Sequence, residues 1–186
     1  DLLYEQRERI VRLAVPTLAG AVAGTALLLI TSNDTFEAIV PGLIAGSCLL
    51  LLFQPRLMRR ISHAGNERSP FLTVGLLFAG TYAAYFGAAA GILLLGLLAL
   101  FVADSMQHLN ATKILLTGLA NLLAAVAFAF LATVNWRYAI CLMVSSLIGG
   151  RFGANLARRV SGDVLRVAIA LIGLVVAAVL AVRAFG

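Results

Sequence analysis

Charge is what this 186-residue sequence has least of: 12% of its residues are charged, against about 25% in an ordinary soluble domain. With 62% apolar residues, a water-soluble fold would lack the polar surface needed to cover itself. No Asp or Glu falls inside the long apolar runs, so a carboxylate proton relay is not visible in this portion. There is no HExxH, no phosphate loop and no Ser/His/Asp set; an enzyme would need groups that this chain lacks. The two cysteines, Cys48 and Cys141, lie in apolar runs without CxxC or Cys/His spacing. Neither a metal nor a cofactor is expected, and both cysteines read as small buried hydrophobes. Asp1 opens the chain without a methionine, and no signal-peptide pattern precedes the first apolar run, which reads as the tail of a longer protein.

What is present is apolar length. Leu13 to Ile30, Ala38 to Phe53, Asn110 to Val134, Tyr138 to Leu156 and 164–185 read as membrane spans,. The formal net charge is +6, and Lys113 is the one lysine among 14 basic residues. The arginines gather at the ends of apolar runs, where the positive-inside rule explains them without a nucleic-acid partner. The expected fold is an all-α polytopic membrane protein in a lipid bilayer. The expected location is a multi-pass position in a bacterial or archaeal plasma membrane.

One run is too long. Phe71 to Ala103 is 33 residues without a charge, roughly 50 Å as one straight helix against a hydrocarbon core of about 30 Å. It carries Gly75, Gly80, Gly87, Gly91 and Gly96. The segment is therefore expected to be steeply tilted, broken, or folded back, with a hairpin or double crossing favoured; irregular backbone survives at membrane depth only where protein or a watery cavity covers it.

Sliding the chain by 125 residues lays Arg12 on Arg137 and Gly24 on Gly149. The first two spans then resemble the last two. Their turns differ in charge: Asp34 and Glu37 in one, Arg158, Arg159 and Arg166 in the other. Opposite orientation is the inverted-repeat architecture of many transporters. On this reading, residues 1–69 are the end of a first repeat, with spans 13–30 and 38–53 and a basic loop 54–69. Residues 70–186 are a second repeat, and the N-terminal part of the first is missing from the chain.

The chemistry-bearing residues fall in two places. Asn110, Lys113, Thr117 and Asn121 recur at helical spacing, so they share a face opposite Leu115, Leu119 and Leu123,. An ionisable group at membrane depth is a functional hypothesis by default. Placed near a helix start at Asn110, Lys113 would join amide donors and free N–H groups in an oxyanion site. The competing readings are a snorkelling lysine, an Asn121 that bonds a neighbouring helix and a Thr117 that merely packs. Tyr82, Tyr85, Gly87 and Gly91 would face the same anion if the overlong segment breaks near Gly87. Otherwise Gly87 and Gly91 serve helix packing and the tyrosines sit at the interface. Gly20-xxx-Gly24, Gly42-xxx-Gly46 and Gly149-xxx-Gly153 read as packing faces. Trp136, Arg137 and Tyr138 read as an interfacial anchor. His63 and His108 read as solvated loop residues, and Asp104 as a solvated loop acid or a partner for Lys113.

An ordered set of motifs resembles the sulfite exporter TauE/SafE family of membrane permeases. It comprises Gly80-Thr81-Tyr82, Tyr85-Phe86-Gly87-Ala88-Ala89-Ala90-Gly91, Asn110-Ala111-Thr112-Lys113, Asn121, Trp136, and Gly149-Gly150-Arg151-Phe152-Gly153 through Arg158-Arg159. Phe36, Pro41 and Gln54-Pro55-Arg56 extend the likeness over nearly the whole chain. Ala83, Ala84 and Ala89 stand where that family often has glycine. The resemblance implies eight spans in two related halves, and export of sulfite, sulfonates such as sulfoacetate, or related small anions. It also frames the remaining alternatives: a non-transporting scaffold subunit, a membrane enzyme with its groups elsewhere, and assembly as a homo-oligomer.

Overall fold

The computed structural model describes residues 2–60, 66–157 and 161–185. His63, Arg158 and Arg159 lie outside them, as do the side chains of Glu5, Arg7, Arg59, Arg60 and Asp163. Among the described residues the fold is all-helical: α1 (Leu2–Ile30), α2 (Asn33–Arg60), α3 (Pro70–Tyr85), α4 (Ala90–Phe101), α5 (Met106–Leu131), α6 (Trp136–Ala157) and α7 (Gly162–Phe185). Four stretches are long and apolar enough to cross a bilayer: Glu8–Ile30, Asn33–Arg56, Met106–Leu131 and Val164–Val182. This is a polytopic α-helical membrane protein.

The overlong apolar run is two helices. At 16 and 12 residues, α3 and α4 reach roughly 24 and 18 Å, each short of the hydrocarbon thickness. They fold back on one another, with Gly75 of α3 against the side chain of Leu97 on α4. Ser69 starts α3 by accepting a hydrogen bond from the Phe71 N–H, with Pro70 at the first helical position,. At the far end the N–H groups of Phe86 and Gly87 both donate to the Tyr82 carbonyl, at 3.0 and 3.1 Å. The reversal then passes through two left-handed residues, Gly87 (φ 78°) and Ala89 (φ 61°). Glycine adopts this conformation freely; for alanine it costs about 1 kcal/mol.

α1 runs parallel to α3 at backbone contact. A Cβ at Gly20 or Gly24 would overlap the carbonyl of Leu77 or Thr81, and one at Gly80 would overlap that of Thr17. Small residues allow this approach, which lets dispersion hold helices together where no hydrophobic drive exists between them. α4 and α5 complete the bundle around Leu13, Leu72, Leu76, Leu94, Leu98, Leu109 and Leu116. A second cluster is almost all alanine: Ala21, Ala83, Ala84, Ala90, Ala120 and Ala124. α2 pairs instead with α7, where Gly173 meets the sulfur of Cys48. The other two glycine pairs behave differently. Nothing lies within 4 Å of a Cβ placed on Gly42, Gly46, Gly149 or Gly153, so these faces do not pack within the described chain. Along α6 every described residue but Ala139 is exposed, including Cys141, Trp136 and Tyr138. Cys141 is thus not the buried hydrophobe its surroundings in the sequence suggest, because among the described residues no helix packs closely on α6.

At one end of the bundle, Arg9 of α1 donates to Glu67, before α3, at 2.7 Å and to Asp104, in the α4–α5 corner, at 3.0 Å. Asp104 also accepts from the Ser105 N–H and pairs with the His108 ring at 2.9 Å. Asp104 therefore serves Arg9 and His108, not Lys113, and His108 is tethered although its side chain is exposed. Burial pushes the Asp104 carboxyl up, but His108, the Ser105 N–H and Arg9 together hold it below its ordinary value of 3.8,. The bonds that lower its pKa therefore stabilise the fold above the ordinary carboxylate range and are lost as pH falls through the lowered value.

Three measurements follow. Gly80→Val, which overpacks the α1–α3 contact, lowers stability in detergent-solubilised unfolding by about 1–3 kcal/mol, while Gly46→Ala has no comparable effect. Gly87→Ala, at positive φ and with a Cβ 3.3 Å from the Ala83 carbonyl, costs about 1–2 kcal/mol in the same assay. Asp104→Asn removes part of the acid-side loss of stability, so the wild-type and variant unfolding curves converge as pH is lowered below about 4.

Candidate functional site

The site forms where the hairpin turns. α4 starts at Ala90 with Ala89 as its cap, and alanine offers no side-chain acceptor. Its first-turn N–H groups at Ala90, Ile92 and Leu93 turn back onto the Gly87 and Ala89 carbonyls at 2.9–3.4 Å. Two of these bonds are long, and the positive end of the α4 dipole opens at this point. The backbone here has two left-handed residues in three, so it cannot continue either helix.

Lys113 reaches this turn from α5. Its side chain lies along Gly91, where a Cβ would stand 3.5 Å from Cδ, 3.8 Å from Cε and 4.0 Å from Nζ. The absence of a side chain at Gly91 brings the ammonium stem against the α4 backbone. α5 begins at Met106, not near Asn110, because the Ser105 hydroxyl caps it by accepting from the His108 N–H. Lys113 is therefore seven residues into α5, roughly 10 Å along its axis, beyond the free N–H groups of its own helix. The helix terminus beside it belongs to α4.

The polar stripe of α5 divides. Lys113 and Thr117 turn inward, half-buried, and the Thr117 hydroxyl is buried without a hydrogen-bond partner. Asn110 and Asn121 are exposed at the margins of the packed face. The reason is angular: the packed arc of α5 centres on Leu109, Leu116 and Ala120. Lys113 falls within about 40° of that centre, and the asparagines about 100–120° away.

The tyrosines brace the turn. Tyr85 meets Phe36 of α2 edge-on, with ring centroids 6.1 Å apart. Tyr82 tilts against Phe86 at 6.1 Å, and its hydroxyl lies 2.7 Å from Ser47 on α2. Ser47 is buried and also lies 3.3 Å from the Ala88 carbonyl in the turn itself. Nothing in the local pattern singles out Ser47. A serine after Gly46 in an apolar run reads as one more small packing residue, and its partners lie 35 and 41 positions away.

Among the described residues no group of three or more His, Cys, Asp or Glu is placed to hold a metal. A cleft of about 230 Å³ opens at the Arg9 end, lined by Arg9, Asp104, His108, Thr112 and Leu115 among others. Its α5 lining lies on a different face of the helix from Lys113,.

No curated protein and no solved structure matches the chain. The family model described as Sulfite exporter TauE/SafE matches residues 5–180. A multi-pass helical protein matched over nearly its whole length by that model belongs to the sulfite exporter TauE/SafE family, which consists of membrane transporters of sulfite and related anions and not of enzymes.

Proposed function

We propose that this chain exports a small oxyanion, sulfite or an organosulfonate such as sulfoacetate, through a site at the α4 N-terminus. The observation that carries this reading is the Lys113 side chain laid along Gly91, beside a helix start whose cap is an alanine in left-handed conformation. The ammonium supplies a full positive charge, and the first turn of α4 supplies the positive end of a dipole. The unpartnered Thr117 hydroxyl, one turn beyond Lys113, supplies a further donor. Together these replace the hydration shell that an oxyanion loses on leaving water. Half-helix termini aimed at an anionic group near the midplane are the device of discontinuous-helix transporters.

Asn110 and Asn121 mark the route on either side of this point, below and above Lys113 on the same helix. Tyr82, Tyr85 and Gly87 shape the turn and do not act as ligands. Arg9, Arg12, Arg56 and Arg68 gather where α1 and α3 begin, which the positive-inside rule puts in the cytoplasm. The hairpin then enters and leaves from the cytoplasmic side.

The test is flux of labelled sulfite and sulfoacetate in proteoliposomes. Lys113→Ala weakens apparent affinity by about 10–100-fold, the value of a hydrogen-bonded charge, and Lys113→Arg retains part of it. Gly91→Leu fills the space along the lysine stem and reduces flux to background while the protein still folds. Wild-type transport by Lys113→Ala rules the site out.

A further inference from the structure

Ser47 stands at a junction. α1, α3, α4 and α5 form one packed bundle, and α2 packs chiefly against α7. Where α2 crosses the hairpin, the Ser47 hydroxyl meets three groups: the Tyr82 hydroxyl at 2.7 Å, the carbonyl of Leu43 at 2.8 Å and that of Ala88 at 3.3 Å. A hydroxyl has one proton to give and two lone pairs to receive. If Ser47 donated to Tyr82, its proton would reach neither carbonyl. If Tyr82 donates to Ser47, the serine proton is shared between the Leu43 carbonyl at 2.8 Å and the Ala88 carbonyl at 3.3 Å. The second arrangement satisfies more of a buried network.

We propose that Ser47 is a positioning residue for transport: oriented by the Tyr82 hydroxyl, it holds the Ala88 carbonyl and so fixes the hairpin turn that aims the first turn of α4 at Lys113. The inference rests on the reading of the Lys113 site given above. Its physical basis is that the turn does not hold itself. It contains an alanine at φ 61° and a glycine at φ 78°, and such conformations persist only when their surroundings over-determine them. Ser47 supplies a polar restraint from α2 on the three-residue turn between Phe86 and Ala90. Its proton also has a second acceptor within its own helix, the Leu43 carbonyl, so the tie to Ala88 can be released without leaving the hydroxyl unpaired. Ser47 makes no contact with Lys113 or Gly91 in this arrangement; it acts through the turn.

Two measurements test this separately. The first reads the turn without transport. In a Cys48→Ala/Cys141→Ala background, a cysteine introduced at Ala90, buried where the turn meets α4, is labelled with a maleimide in intact membranes. Ser47→Ala raises the labelling rate about fivefold, Tyr82→Phe does the same, and Ser47→Thr, which keeps the hydroxyl, restores the slow rate; these are the changes expected for loss of one net hydrogen bond. The second reads sulfite flux. Ser47→Ala and Tyr82→Phe each raise KM by about fivefold with little change in maximal rate, and the double variant is no worse than either single one, because both remove the same tie. Unchanged labelling in both variants overturns the proposal. So does faster labelling with unchanged KM, or a double variant whose effects multiply, since that makes the two hydroxyls independent ligands. If Ser47→Ala does not fold, Tyr82→Phe alone decides both measurements. Failure of the Lys113 site shows separately, as wild-type flux in Lys113→Ala with the labelling pattern intact.

Discussion

A broken helix inside a bilayer exposes backbone dipoles that lipid cannot satisfy, and the rest of this fold is organised around that constraint at residues 86–89. The break has to be covered by protein, and the covering elements come from far along the chain. α1 approaches α3 to backbone distance through Gly20, Gly24 and Gly80. α5 closes the other side through Ala120, Ala124 and Lys113. α2 reaches the turn itself through Ser47. The alanine cluster just inside the turn is a consequence of this crowding: four helices converge there, and larger side chains would hold them apart,.

The same geometry makes Lys113 costly at this depth. Its charge lies where a helix begins, so the local field favours a negative visitor rather than the ammonium itself. In the function proposed above, a bound anion relieves that conflict. Among the described residues no carboxylate pairs with Lys113. Asp104 is the nearest acid in sequence, and Arg9, His108 and the Ser105 N–H occupy its oxygens at the end of the bundle. That separation keeps the described ion pairs at the end of the bundle, apart from Lys113.

The polar stripe shows how much of the site could be read in advance. Helical spacing located Lys113 and Thr117 on one face, and both turn inward. It also grouped them with Asn110 and Asn121, which lie at the margin, because a face defined by this spacing spans about 80° and only packing divides it. The helix start was misjudged by four residues because Ser105 lies outside the apolar run yet caps the helix. The three glycine pairs look alike as strings, and only Gly20 and Gly24 meet a neighbouring backbone. Glycine spacing permits close approach and does not supply the partner.

Composition and hydropathy by themselves determined that this chain is a helical membrane protein and that 33 charge-free residues could not cross as one helix. Both follow from the cost of polar backbone in lipid and the fixed rise of an α-helix, which need no knowledge of neighbours. The ordered motifs carried the family. Tertiary structure alone decided that α4, not α5, offers its N-terminus to Lys113, that α1 lies on the hairpin, and that a serine in α2 touches the turn. Those are contacts between residues 22 to 41 or more positions apart. Such pairs are selected by which surfaces fit when the helices pack, and nothing in the local pattern of either partner records the choice.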